Sequence, residues 1–181
     1  MSKIANYILL VILATASVAC GSEASLQKYY IDSQDNKNFI SVDVPVSILK
    51  LKDDVEPEVK EAYKSLKKMN VLAFTKNDTN GAEYTIEKEK VKKILKSSKF
   101  TELFRMNDKG RSVVIKYEGD DSSMDEVIVY ASDKTQGFAL VRILGDKMTA
   151  EKIMKLGESI KDIDGDNFGL KQLEGFIKNK S

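Results

Sequence analysis

Apolar and polar positions alternate along Phe39-Ile40-Ser41-Val42-Asp43-Val44, the period of a half-buried strand, and Pro45 ends the run. Pro57 then suits the first turn of a helix, after which Val59, Ala62, Tyr63, Leu66 and Met69 recur at helical spacing. Val71-Leu72-Ala73-Phe74 reads as a short apolar strand closed by the turn-forming Asn77-Asp78-Thr79-Asn80-Gly81. A second helix carries Val91, Ile94 and Leu95 on one face and charged side chains on the other. Past Ser98 the period falls to two, and residues 100–106, 111–118, 124–131 and 138–144 predict four consecutive strands. The connections between them are too short for anything but antiparallel neighbours, so these strands form a meander. Thr149 can cap a third helix with Ile153, Leu156, Ile160 and Ile163 as its buried stripe, despite Gly157 inside it. Asp164-Gly165-Asp166-Asn167 then breaks the chain, and Leu170, Leu173, Phe176 and Ile177 predict a short terminal helix. The expected fold class is α+β: a mostly antiparallel sheet with a four-strand C-terminal meander and helices packed on one face.

The N-terminus follows a different pattern. Lys3 precedes an apolar run from Ile8 to Ala19, and the run closes on Cys20, the only cysteine of the chain. A lysine that stays on the cytoplasmic side, a short apolar helix and small residues at Ala19 are the parts of a secretory signal. A cysteine directly after the cleavage position makes it a lipoprotein signal, in which the thiol takes a diacylglyceryl group before the peptidase cuts between Ala19 and Cys20. Ser17 stands where such signals most often have leucine. The apolar run is shorter than the roughly 18 to 20 residues a spanning helix needs, and no basic cluster follows it. The expected organisation is a signal peptide over residues 1–19, a polar tether over 20–37, an α+β domain over 38–163 and a helical tail over 164–181.

Composition narrows the partners. The full chain of 181 residues carries 29 basic and 28 acidic side chains, interleaved as in Glu87-Lys88-Glu89-Lys90. Such balance argues against a nucleic-acid partner, which demands a basic surface, and none is expected. With Cys20 lipidated, no thiol is left for a disulfide, so packing alone must hold the fold.

Three stretches carry a resemblance to a family. They are Met69-Asn70-Val71-Leu72-Ala73-Phe74, then Phe100-Thr101-Glu102-Leu103-Phe104-Arg105-Met106, and then Phe138-Ala139-Leu140-Val141-Arg142-Ile143-Leu144-Gly145-Asp146 leading into Ile153-Met154-Lys155-Leu156. Together they resemble the domain of unknown function 4252 family, small lipoproteins of Bacteroidetes-type bacteria. The resemblance spans roughly residues 38–163 and implies an envelope lipoprotein. It supplies no catalytic residues.

Chemistry-bearing motifs are few. The chain has no histidine, which removes Ser-His and Cys-His dyads and the commonest zinc ligand. Asp162, Asp164 and Asp166 begin like a calcium loop, but Asn167 replaces its glycine and Leu173 its closing glutamate. They are read as a polar turn, and no metal or cofactor is expected. The pairs Asp53-Asp54 and Asp120-Asp121 are read as loop residues. In the last two strands both alternating sets are apolar, with Val127, Val129, Ala131, Ala139, Val141 and Ile143 on one side and Ile128, Tyr130, Phe138 and Leu140 on the other. The second set is a candidate interaction face for a protein partner, a second copy or an apolar ligand, unless the tether, the tail or the early strands cover it.

The leading functional expectation is therefore a lipid-anchored envelope binding or interaction module without catalysis, attached to the membrane through Cys20. Gly21 after the cysteine, in place of an aspartate, directs the expectation to the outer membrane facing the periplasm. Two alternatives stand beside it: a periplasmic carrier of a lipid or other apolar ligand, and an enzyme using carboxylates or a Ser-Lys pair.

Overall fold

The computed structural model describes residues 25–48, 50–51, 55–159 and 163–164. The signal peptide, Cys20, Asp53-Asp54, Asp162, Asp166 and the expected terminal helix lie outside the described residues. Helix α1 spans Leu26–Ser33, strand β1 Phe39–Pro45, a 3-10 turn Val46–Ile48, β2 Lys50–Leu51, α2 Pro57–Lys64, β3 Leu66–Thr75 and α3 Gly81–Leu95. Strands β4 Thr101–Asp108, β5 Arg111–Asp120, β6 Ser123–Asp133 and β7 Gly137–Met148 follow, then α4 Ala150–Glu158 and β8 Ile163–Asp164. Six strands form one antiparallel sheet in the order β1-β3-β7-β6-β5-β4, and β2 pairs with β8 separately. The fold is α+β, with the four-strand meander β4 to β7 in place.

Several expectations change, and Ile163, expected on the buried stripe of the third helix, instead pairs with Leu51 as part of β8. Helices lie on both faces of the sheet, not on one, because both alternating sets of the inner strands are apolar and each needs cover. On one face α1 and α3 contribute Leu26, Tyr29, Tyr30, Tyr84, Val91, Ile94 and Leu95 to a core with Leu72, Phe74, Ile128, Tyr130, Phe138 and Leu140. On the other, Val59 and Ala62 of α2 and Ile153 and Leu156 of α4 pack with Tyr117, Met124, Val127 and Met148. A further change concerns residues 26–33, expected as part of a polar tether. They form α1, capped by Ser25, whose Oγ accepts from the Lys28 N–H at 3.1 Å. Leu26, Tyr29 and Tyr30 bury themselves on the sheet, and burial of this much apolar surface outweighs the polar character of the segment.

Strand β3 starts earlier than its apolar core suggested. The helical spacing that ran through Leu66 and Met69 stops at Ser65, whose Oγ donates to the Ala62 carbonyl at 2.6 Å, and Leu66 to Met69 join the sheet. Asp43 on β1 holds this part of β3: Lys68 Nζ donates to its Oδ2 at 2.9 Å and Asn70 Nδ2 to its Oδ1. On the other side of β3, where it pairs with β7, Gly137 sits at φ 123°, with its backbone so close to β3 that a Cβ would stand 2.0 Å from the Phe74 carbonyl oxygen. Only glycine allows this approach. Among the described residues no helix is long and apolar enough to cross a membrane.

Candidate functional site

The proposed interaction face is assembled as expected but is not open. Tyr130 stands opposite Leu140, Ser132 opposite Phe138 and Ile128 opposite Arg142, so Ile128, Tyr130, Phe138 and Leu140 do share one side of β6 and β7. Their relative exposures are 0%, 4%, 0% and 0%, because α1 and α3 lie on them. Phe138 stacks on Phe74 with ring centroids 5.6 Å apart, and Tyr130 meets Phe138 at 5.9 Å. These four side chains are core, covered in part by the very segment expected to be a tether. Burial pushes the Tyr130 hydroxyl up to about 12 and carries Tyr30 higher still; at Tyr29 burial and the Glu87 carboxylate act together in the same direction.

Where the same face nears the start of α1, the apolar core gives way to charge. Glu126 on β6 and Arg142 on β7 continue the inward alternation of Ile128 and Leu140, one diagonal step apart across the register. Their side chains retain 7% and 18% exposure, and Arg142 Nη2 donates to Glu126 Oε2 at 2.6 Å. The carboxylate strengthens the hold of Arg142 on its proton. Buried pairs of this kind stabilise little on balance, since two charges leave water for each other. Here the pairing is also incomplete: Glu126 Oε1 and Arg142 Nε are buried and have no hydrogen-bond partner among the described residues.

Both residues line a pocket of about 340 Å³. Its rim carries Asp125 and the Lys99–Glu118 ion pair at 3.0 Å, and one wall is the first turn of α1. The N–H groups of Leu26 and Gln27 open that helix and have no carbonyl one turn earlier within it. Nothing in the earlier pattern singled out this site. The signal was present nonetheless, as an acid and a base on the inward-facing positions of neighbouring strands, where the alternation calls for apolar residues.

The remaining sequence candidates do not converge. Asp121 accepts from the Tyr117 hydroxyl at the β5–β6 turn, a turn contact. Among the described residues no group of three or more acidic or cysteine side chains is placed to hold a metal ion. The lipid-attachment residue Cys20 and the cleavage position Ala19 lie outside the described residues.

No curated protein and no solved structure matches the chain. One family does, the one described as Domain of unknown function (DUF4252), over residues 29–156, a span running from the buried face of α1 through the whole sheet into α4. The chain belongs to that family.

Proposed function

We propose that the protein is a lipid-anchored envelope module that binds and does not catalyse, attached through Cys20 to the outer membrane on its periplasmic side. The observation that carries this reading is the sequence Lys3, apolar run, Ala19, Cys20, set five residues ahead of the Ser25 cap of α1. Five residues reach roughly 17 Å when extended, so a lipid on Cys20 would hold the domain against the membrane surface and not at the end of a long leash. The carboxylates with altered proton affinity support a structural role for their charges. For Asp43, burial raises it, but the hydrogen bonds from Lys68 and Asn70 and the Lys68 charge outweigh that and hold it low. Asp133 is lowered chiefly by Thr135 and ends the β6 strand at a turn. The face expected to take a protein partner, a second copy or an apolar ligand is filled by α1 and α3, so binding by this module would use another part of its surface.

Intact-mass measurement and membrane fractionation test the proposal. The expected result is a mature chain starting at Cys20 with added acyl mass, found in the outer-membrane fraction, and a Cys20→Ser variant released from it. A mass that still includes residues 1–19, or membrane attachment that survives Cys20→Ser, overturns the anchoring.

A further inference from the structure

We propose that the pocket at the start of α1 binds a small zwitterion, a primary ammonium a few bonds away from an anionic oxygen. The floor holds one buried acceptor and one buried donor without partners among the described residues, Glu126 Oε1 and Arg142 Nε, on the neighbouring strands β6 and β7. A carboxylate oxygen in that position calls for an N–H donor, and a guanidinium N–H calls for an oxygen acceptor. Leaving both unmade in a buried site is costly, and because both atoms are shielded from solvent, a ligand that supplies both ends gains at both by turning the two side chains toward the pocket.

The charges around the floor select against simpler ions. Glu118, Asp125 and Glu126 line the pocket together with Lys99 and Arg142, in the pairs Lys99–Glu118 and Arg142–Glu126, and the α1 N-terminus adds a partial positive charge of roughly half a unit. A lone cation entering would meet Arg142 and Lys99, and a lone anion would meet three carboxylates. A molecule with both signs can direct its ammonium to Glu126 and Asp125 and its anionic end to Arg142 and the Leu26 and Gln27 N–H groups. The volume of about 340 Å³ lies at the lower end of small-molecule sites, roughly 300 to 1,000 Å³. Two sources fit this chemistry, a free amino acid and the phosphoethanolamine headgroup of a lipid. Binding would occur whether or not Cys20 carries lipid.

Titration calorimetry of the purified chain with glycine and with O-phosphoethanolamine tests the site, with ethylamine and inorganic phosphate as one-ended controls. Saturable binding of at least one zwitterion, about tenfold or more tighter than either control, is expected, and the tighter of the two identifies the source. Failure of both zwitterions to bind at millimolar concentration overturns the proposal, as does a control that binds equally well. The double variant Glu126→Gln with Arg142→Gln leaves a neutral amide at each position while removing both charges, and should lose binding about tenfold or more. If it does not melt cooperatively, Asp125→Asn at the exposed rim replaces it, with a severalfold loss expected. Unchanged affinity in whichever variant folds overturns the site.

Discussion

The Tyr29 hydroxyl donates to Glu87 Oε2 at 2.9 Å, a polar tie between α1 and α3 over the apolar face of the sheet. Glu87 falls within the buried stripe of α3, where its other oxygen accepts from Lys90 Nζ at 2.6 Å. Tyr29→Phe keeps the ring and removes the donor. It should cost about 1 to 3 kcal/mol, the price of leaving a buried charged acceptor short of a partner, measured by urea unfolding.

Helix α1 as part of the core gives a sharper contrast within one helix. Leu26 is 1% exposed and Ile31 58%. Leu26→Ala should destabilise by about 2 to 5 kcal/mol, and Ile31→Ala should stay within about 0.5 kcal/mol of wild type. Equal and small effects at the two positions would return residues 26–33 to the role of a tether.

Gly137→Ala should be among the most damaging single changes. The substitution forces a side chain into a left-handed backbone region and sets its Cβ against the Phe74 carbonyl, so at least about 3 kcal/mol should be lost. Thermal unfolding checks this, with Gly157→Ala as control, since among the described residues no neighbour lies within 4 Å of a Cβ added there.

Stability should fall on the alkaline side. Tyr29, Tyr30 and Tyr130 all hold their protons more tightly folded than unfolded. The unfolded chain therefore releases these protons first, near pH 10, and the stability present below that value is lost as pH rises toward the folded pKa of Tyr130, about 12. Tyr130 alone should account for on the order of 2 kcal/mol across that window. Tyr130→Phe should flatten this part of the pH profile; an unaltered profile would remove Tyr130 as its source.

The meander was legible because nothing but local chemistry decides it: Asp133 to Gly137 leaves β6 and β7 no choice of partner, and the alternation fixes which side chains share a face. Pro57 and Thr149 marked their helices equally well, the latter with its Oγ1 accepting from the Lys152 N–H at 3.3 Å. Helix α1 was not legible, since Leu26, Tyr29 and Tyr30 make too short a stripe to stand out among polar neighbours. Only the sheet face waiting beneath them makes the stripe meaningful. The first half of β3 was masked by chance, because Leu66 and Met69 extend the helical spacing of Ala62 and Tyr63 until the pairing with β1 and β7 overrides it. Glu126 and Arg142 were passed over for a related reason: their alternation matches the core, and only the three-dimensional arrangement makes them the floor of a pocket.

The seam between β3 and β7, inside the sheet, joins Thr75 to Gly137 and Leu66 to Gly145. Synthesis delivers these partners far apart in time, and α1, the earliest element of the domain, rests on β6 and β7, which are among the last. A growing chain can form the β4 to β7 ribbon locally, but it cannot close either core until β7 has emerged. The topology thus ties the closing of both faces of the sheet to the arrival of one strand, β7.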